Sequence, residues 1–134
     1  MELIRELNDG VQANNAEIVW NKYLKEYGNQ DREFFIVLGL DSKNTVIYRE
    51  IVSVGTLNTG LAHPREVFKK AIMMSANSII IAHNHPSKDL EPSKEDVATT
   101  KRIEECGELL GISLLDSIVF SDVDFETILR GFKR

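Results

Sequence analysis

An α/β fold with a mixed sheet is what this sequence predicts, and three observations predict it. Ile79-Ile80-Ile81 forms a β-branched run short enough to be one buried strand. Stretches with helical spacing lie on both sides of that run, each closed by recognisable stop residues. Two further strand-like stretches, joined by a turn-rich tetrapeptide, precede them. The resulting order, αββαβαβ, suits a sheet with helices packed on it. No internal repeat and no Gly-, Pro- or Ser-rich linker divides the chain, so one domain is expected over 15–134, preceded by an arm over 1–14. At 134 residues such a domain buries roughly two-thirds of its unfolded surface.

The elements follow in order. Met1 to about Asn14 is polar and unperiodic, the pattern of a loose arm or a short helix. Asn15 is placed to cap a helix running to Tyr27, with Ile18, Val19, Tyr23 and Tyr27 near one stripe and Gly28 as the stop. Phe34–Leu40 and Thr45–Val54 read as strands connected by Asp41-Ser42-Lys43-Asn44. A helix is expected from His63 to about Ser75, with Pro64 in its first turn, His63 in a cap-like role, and Val67, Phe68, Ala71 and Ile72 facing the core. Ser78–His83 is the buried strand. Lys94–Leu110 reads as a helix closed by Gly111, Leu114–Phe120 as a last strong strand, and Ile128 and Leu129 as a short closing segment.

Composition excludes several classes. Hydrophobic content of 43% and charged content of 28% are ordinary for a soluble globular protein. No apolar run approaches the length needed to span a bilayer, and no secretory leader is visible, so no membrane partner is expected and the location is expected to be cytoplasmic. Cys106 is the single cysteine, which removes internal disulfides and reads as a small packed helix residue. It also excludes a zinc finger and the zinc deaminases, which need further cysteines. A net charge of −5 gives no support to a generic phosphate-binding surface. Arg65-Glu66 and Lys69-Lys70 read as the solvated face of their helix.

The chemistry concentrates between His83 and Asp96. A strand sends residues i and i+2 to one face, so His83 and His85 point the same way at the end of the isoleucine run. Pro92 interrupts regular structure, and Ser93-Lys94-Glu95-Asp96 reads as a helix start with Ser93 as N-cap. The intervening loop would return the first helical turn to the two imidazoles. Two histidines and one carboxylate are the three-ligand, open form of a zinc site. A helix N-terminus keeps that carboxylate ionised, as a ligand must be. The same ligand types also suit iron, nickel or manganese. H-x-H and S-x-x-D each have plainer readings as well, as a strand pair and a capping box.

H-x-H, seven residues, then S-x-x-D resembles the signature of the JAMM (MPN-plus) metalloprotease family. The surrounding stretches, Gly55-Thr56-Leu57-Asn58, His63-Pro64-Arg65-Glu66-Val67-Phe68, Ala82-His83-Asn84-His85-Pro86-Ser87 and Pro92-Ser93-Lys94-Glu95-Asp96, resemble its RadC-like branch, as does Gly111-Ile112 through Leu115-Asp116. The likeness runs from about Arg32 to the C-terminus. It implies a three-layer α/β/α fold similar to cytidine deaminases, a zinc ion held by His83, His85 and Asp96, and hydrolysis of an amide or isopeptide bond in a peptide or protein substrate. Three departures stand out. Lys88 replaces a usual Gly, which would stiffen the loop. Ser117 replaces a usual His after Leu115-Asp116. The helical N-terminal segment of full-length members has no counterpart here.

The resemblance also implies a glutamate as general base. Arg32-Glu33-Phe34-Phe35 matches the RadC-like pattern, which selects Glu33, and Glu50 before Gly55 is the alternative. Ser93 is expected to donate its hydroxyl to the developing oxyanion. Val54, Leu57, Leu61 and Leu90 flank the motif and either shape a groove or fill the core. A second function class also fits the branch: a non-enzymatic module associated with DNA repair or mobile elements, whose binding would be salt-dependent.

Overall fold

The computed structural model describes residues 6–55 and 63–129. Five strands form one sheet in the order β2-β1-β3-β4-β5, where β1 is Glu33–Leu40, β2 Val46–Gly55, β3 Ser78–Asn84, β4 Ser113–Phe120 and β5 Phe125–Thr127. β1 pairs antiparallel with both β2 and β3, β3 pairs parallel with β4, and β4 pairs antiparallel with β5. The sheet is therefore mixed, as expected. The β3–β4 pair is parallel because a helix, α3 (Lys94–Leu110), connects them, and parallel neighbours require such a crossover.

Helices cover both faces. α2 (Pro64–Met73) and α3 lie on one side, where Val67, Phe68, Ala71 and Ile103 pack with Phe35, Val37, Ile79 and Ile81 of the sheet. On the other side α1 (Ala16–Val19), continued by a π turn over Trp20–Leu24 and a 3-10 turn over Lys25–Tyr27, packs Ala16, Val19, Tyr23 and Leu24 against Ile36, Leu38, Ile80, Ala82 and Ile118. Both faces of β3 are thus buried, which is why it reads as a continuous apolar run with no alternation. The result is the three-layer α/β/α arrangement.

Local chemistry explains the boundaries. Asn15 caps α1 by accepting from the Ile18 N–H at 2.9 Å, and Gly28 closes the segment. The β1–β2 turn is an Asx turn, with the Asp41 carboxylate accepting from the N–H groups of Lys43 and Thr45, both at 2.9 Å. His63 is the N-cap of α2, its Nδ1 accepting from the Arg65 N–H at 3.0 Å. Gly111, at φ 74°, ends α3 in the left-handed conformation that favours glycine. Gly39 is required for a different reason: the Tyr48 ring occupies the space that any Cβ would need.

Two expectations need adjustment. The closing segment is β5, Phe125–Thr127, and Ile128 and Leu129 follow it, tied back through Ile128 N–H to the Ser117 carbonyl and Leu129 N–H to the Asp116 carboxylate. The described part of the N-terminal arm lies along β2: Val46 N–H donates to the Val11 carbonyl, Gln12 bridges Thr45, and the Asp9 carboxylate accepts from Tyr23 Oη at 3.0 Å. Among the described residues no helix is long and apolar enough to cross a membrane. Leu57 and Leu61 lie outside the described residues.

Candidate metal centre

Three elements meet at one end of the sheet. β3 ends there with His83 and Asn84, β1 begins there with Glu33, and the N-terminus of α3 arrives there after the loop from Pro86 to Pro92. His85 follows β3 directly, and its N–H still donates to the Phe120 carbonyl, so the strand direction carries through to the second imidazole. The i, i+2 rule therefore applies to the pair. His83 Nε2 and His85 Nε2 are 3.2 Å apart.

Asp96 completes the triad. Ser93 caps α3 in a full capping box: Asp96 N–H donates to Ser93 Oγ at 3.0 Å, and Ser93 N–H donates to Asp96 Oδ2 at 2.8 Å. The box sets the Asp96 rotamer, and one carboxylate oxygen then faces each ring, Oδ1 at 2.9 Å from His83 Nε2 and Oδ2 at 3.0 Å from His85 Nε2. The cap and the ligand readings of S-x-x-D are thus the same geometry.

These donors lie close enough together to share one cation. Ligand atoms about 2.0–2.1 Å from a zinc ion lie about 3.3 Å from one another. Taking one ligand atom from each residue, the three lie within 4.8 Å of one another, with the two Nε2 atoms 3.2 Å apart and a different Asp96 oxygen nearest to each ring. The set offers two imidazole nitrogens and a carboxylate oxygen, the ligand types of open zinc sites. Among the described residues it is the group of this kind that brings three such side chains together.

The supporting contacts orient each ring. His85 Nδ1 lies 2.6 Å from the Asp89 carbonyl, which can only accept, so Nδ1 carries the proton and Nε2 is left for coordination. The Phe35 ring stacks parallel to His83 at 6.3 Å between centroids. Burial alone would raise the Asp96 pKa, but hydrogen bonds from His83 and His85, the charge of His83 and the Ser93 N–H hold it well below the usual carboxylate range. The hydrogen bond to Asp96 raises His85 against the opposing effect of burial, helped by the Asp89 carbonyl and the charges of Asp96 and Glu33.

The two glutamates occupy different surroundings. Glu33 is half-buried at the start of β1, and burial raises its pKa, while His83 and His85 pull it down and Asp96 and Glu95 push it up. Those are the charges of the triad and its helix. Glu50 pairs with Val37 in the middle of β2. Burial raises it too, but the charges acting on it are Lys70, Glu6, Glu66 and Lys69, on α2 and the arm.

The remaining sequence expectations sort as follows. Lys88 sits at φ 65°, so the loop demands a left-handed residue there, and its Nζ lies 3.1 Å from Asp122 Oδ1. Ser117 is buried and its Oγ accepts from Thr100 Oγ1 at 2.8 Å, one helical turn beyond Asp96. Val54 is exposed, Leu90 half-buried, and Cys106 half-buried against the core. Sequence reasoning passed over Asn84, whose side chain bonds to both Arg32 and Phe34. A fully buried asparagine must be hydrogen-bonded, and its place inside a buried strand between two histidines was the available signal.

Comparison with known proteins shows which family the chain resembles. A family model described as the RadC-like JAB domain matches residues 13–129. A UPF0758 protein of Staphylococcus carnosus is 47% identical over 128 residues, covering 96% of this chain and 57% of that protein. A UPF0758 protein of Geobacillus kaustophilus is 52% identical over 94 residues, covering 70% and 42%. A third, from Methanosarcina mazei, is 44% identical over 126 residues, covering 90% and 55%. The chain spans about half the length of the curated relatives it matches.

Proposed function

The chain belongs to the RadC-like JAB domain family, and from that premise we propose that it is a zinc-dependent hydrolase of amide or isopeptide bonds. The observation that carries the reading is the convergence of His83, His85 and Asp96 on one point beside the half-buried Glu33. His83, His85 and Asp96 would hold the ion. A zinc ion held there would supply polarisation of the substrate carbonyl and a water of pKa about 7.

The chain's own residues supply the rest. Glu33 takes the proton of the attacking water and returns it to the leaving amine, a role that its upward-shifted pKa suits. Ser93 Oγ accepts from Asp96 N–H, which occupies a lone pair and leaves the hydroxyl proton free. That proton is available to the oxyanion on the attacked carbonyl. Asp89 fixes the His85 tautomer, and the Phe35 ring lies against His83. The substrate is a peptide or protein amide.

The test compares two isosteric changes in zinc-loaded protein, read on a fluorogenic library of linear peptides and lysine isopeptides. Glu33→Gln should retain zinc and fold yet lose turnover, because an amide cannot accept the proton. Glu50→Gln should stay within a few-fold of wild type. Loss of turnover in the Glu50 variant alone would transfer the base role to Glu50.

A further inference from the structure

We propose that Asn84, the residue between the two histidines, is the positioning residue for the general base. The proposal rests on the reading of Glu33 as that base. Asn84 is fully buried, and both ends of its amide are used on one short stretch of β1. Its Oδ1 accepts from the Phe34 N–H at 2.6 Å, and its Nδ2 donates to the Arg32 carbonyl at 2.9 Å.

Those two groups bracket Glu33. The Arg32 carbonyl belongs to the peptide unit before the Glu33 Cα, and the Phe34 N–H belongs to the unit after it. Anchoring both units fixes the two backbone torsions of Glu33 and hence the direction of its Cα–Cβ bond. The contact falls where the β1–β3 register ends, at Phe35 opposite His83. The Asn84 side chain there takes over from the main-chain ladder. One residue therefore ties the backbone of the base to the backbone of the ligand pair, since Asn84 is covalently joined to both His83 and His85. The middle position of H-N-H is a brace between the proton acceptor and the metal ligands.

The bracket needs a side chain that donates and accepts from a single short amide. Asn84→Ala removes both bonds. Asn84→Asp keeps the acceptor for Phe34 N–H and loses the donor to Arg32, in nearly the same volume. Neither touches a ligand atom, so both should load about one zinc per chain.

The experiment is a crystal structure of each zinc-loaded variant, joined to steady-state kinetics on the same peptide and isopeptide library. In Asn84→Ala the Glu33 carboxylate should move by about 1 Å or more while His83, His85 and Asp96 stay in place. The kcat should fall about a hundredfold with KM little changed, the scale expected when a catalytic group is displaced that far. Asn84→Asp should fall between the two, and it decides the matter if the alanine variant does not fold: movement of Glu33 supports the brace. A Glu33 carboxylate unmoved in the variant structures, or an equal loss of zinc, overturns it. If wild-type protein cleaves no probe, the hydrolase reading fails separately, and the Glu33 displacement still judges the brace.

Discussion

His85 shows how much one residue can be asked to do at this site. Its Nδ1 is committed to the Asp89 carbonyl, and its Nε2 faces Asp96. The pKa of His85 is raised and that of Asp96 lowered, and the signs give opposite pH limits. A raised histidine stabilises the metal-free fold below its unfolded value of about 6.5, and that contribution is lost as pH rises through the native value. A lowered aspartate stabilises it above about 3.9, and that is lost as pH falls through the native value. Both contributions are present between roughly pH 4 and pH 6.5. Zinc held at His85 Nε2 would compete with a proton there, so apparent zinc affinity should climb from about pH 6 to pH 8, by as much as tenfold per unit. Chelator competition across that range measures it. An affinity flat with pH would mean that His85 is already neutral and takes no part in the binding equilibrium. The histidine pair and Asp96 were legible in the sequence because strand and capping geometry are local. Asn84 was not, because its partners lie on another strand.

At the scale of the element, α3 is where stability and chemistry share residues. Its limits, Lys94–Leu110, follow from Ser93 at one end and Gly111 at the other, both readable before any tertiary contact is known. Ser93→Ala would cost about 0.5–2 kcal/mol as a lost cap, which confuses stability with turnover. Ser93→Asn separates them, because asparagine caps as well as serine and adds no charge. The Asn variant should melt near wild type and turn over at least tenfold more slowly, since loss of an oxyanion donor costs about 10²–10³. Thermal melting beside steady-state rates checks this, and full activity in a stable variant would leave Ser93 a cap alone. The loop before α3 was read less well. Lys88 stands at a position whose φ of 65° suits glycine, and the lysine instead reaches Asp122 across the β4–β5 turn. That contact joins segments 34 positions apart and leaves no local trace in the sequence.

The whole molecule places the site by topology. β1 sits between β2 and β3 and runs antiparallel to both, so its first residue lies beside the last residues of β3. That arrangement brings Glu33 to the triad and leaves Glu50, paired with Val37 opposite Ile81, further down the sheet. Strand existence could be read from alternation and β-branched runs. Strand order could not, because it is fixed by long-range pairing and by which faces the helices cover. The three-residue β5 was missed for the same reason: its pairing with β4 comes from the turn at Ser121–Asp124, where Ser121 N–H donates to the Asp124 carbonyl, and not from any periodicity.

On the proposed reading, His83, His85 and Asp96 hold one zinc ion at one end of an already folded sheet. Elemental analysis of protein purified without chelator and reconstituted with zinc tests it most directly, run beside His85→Ala with circular dichroism on both. The expected result is about one zinc per wild-type chain and little in the variant, with the same spectrum, because the triad lies at a strand end and both core clusters are formed without it. Wild-type protein carrying no zinc above background after reconstitution would contradict the account.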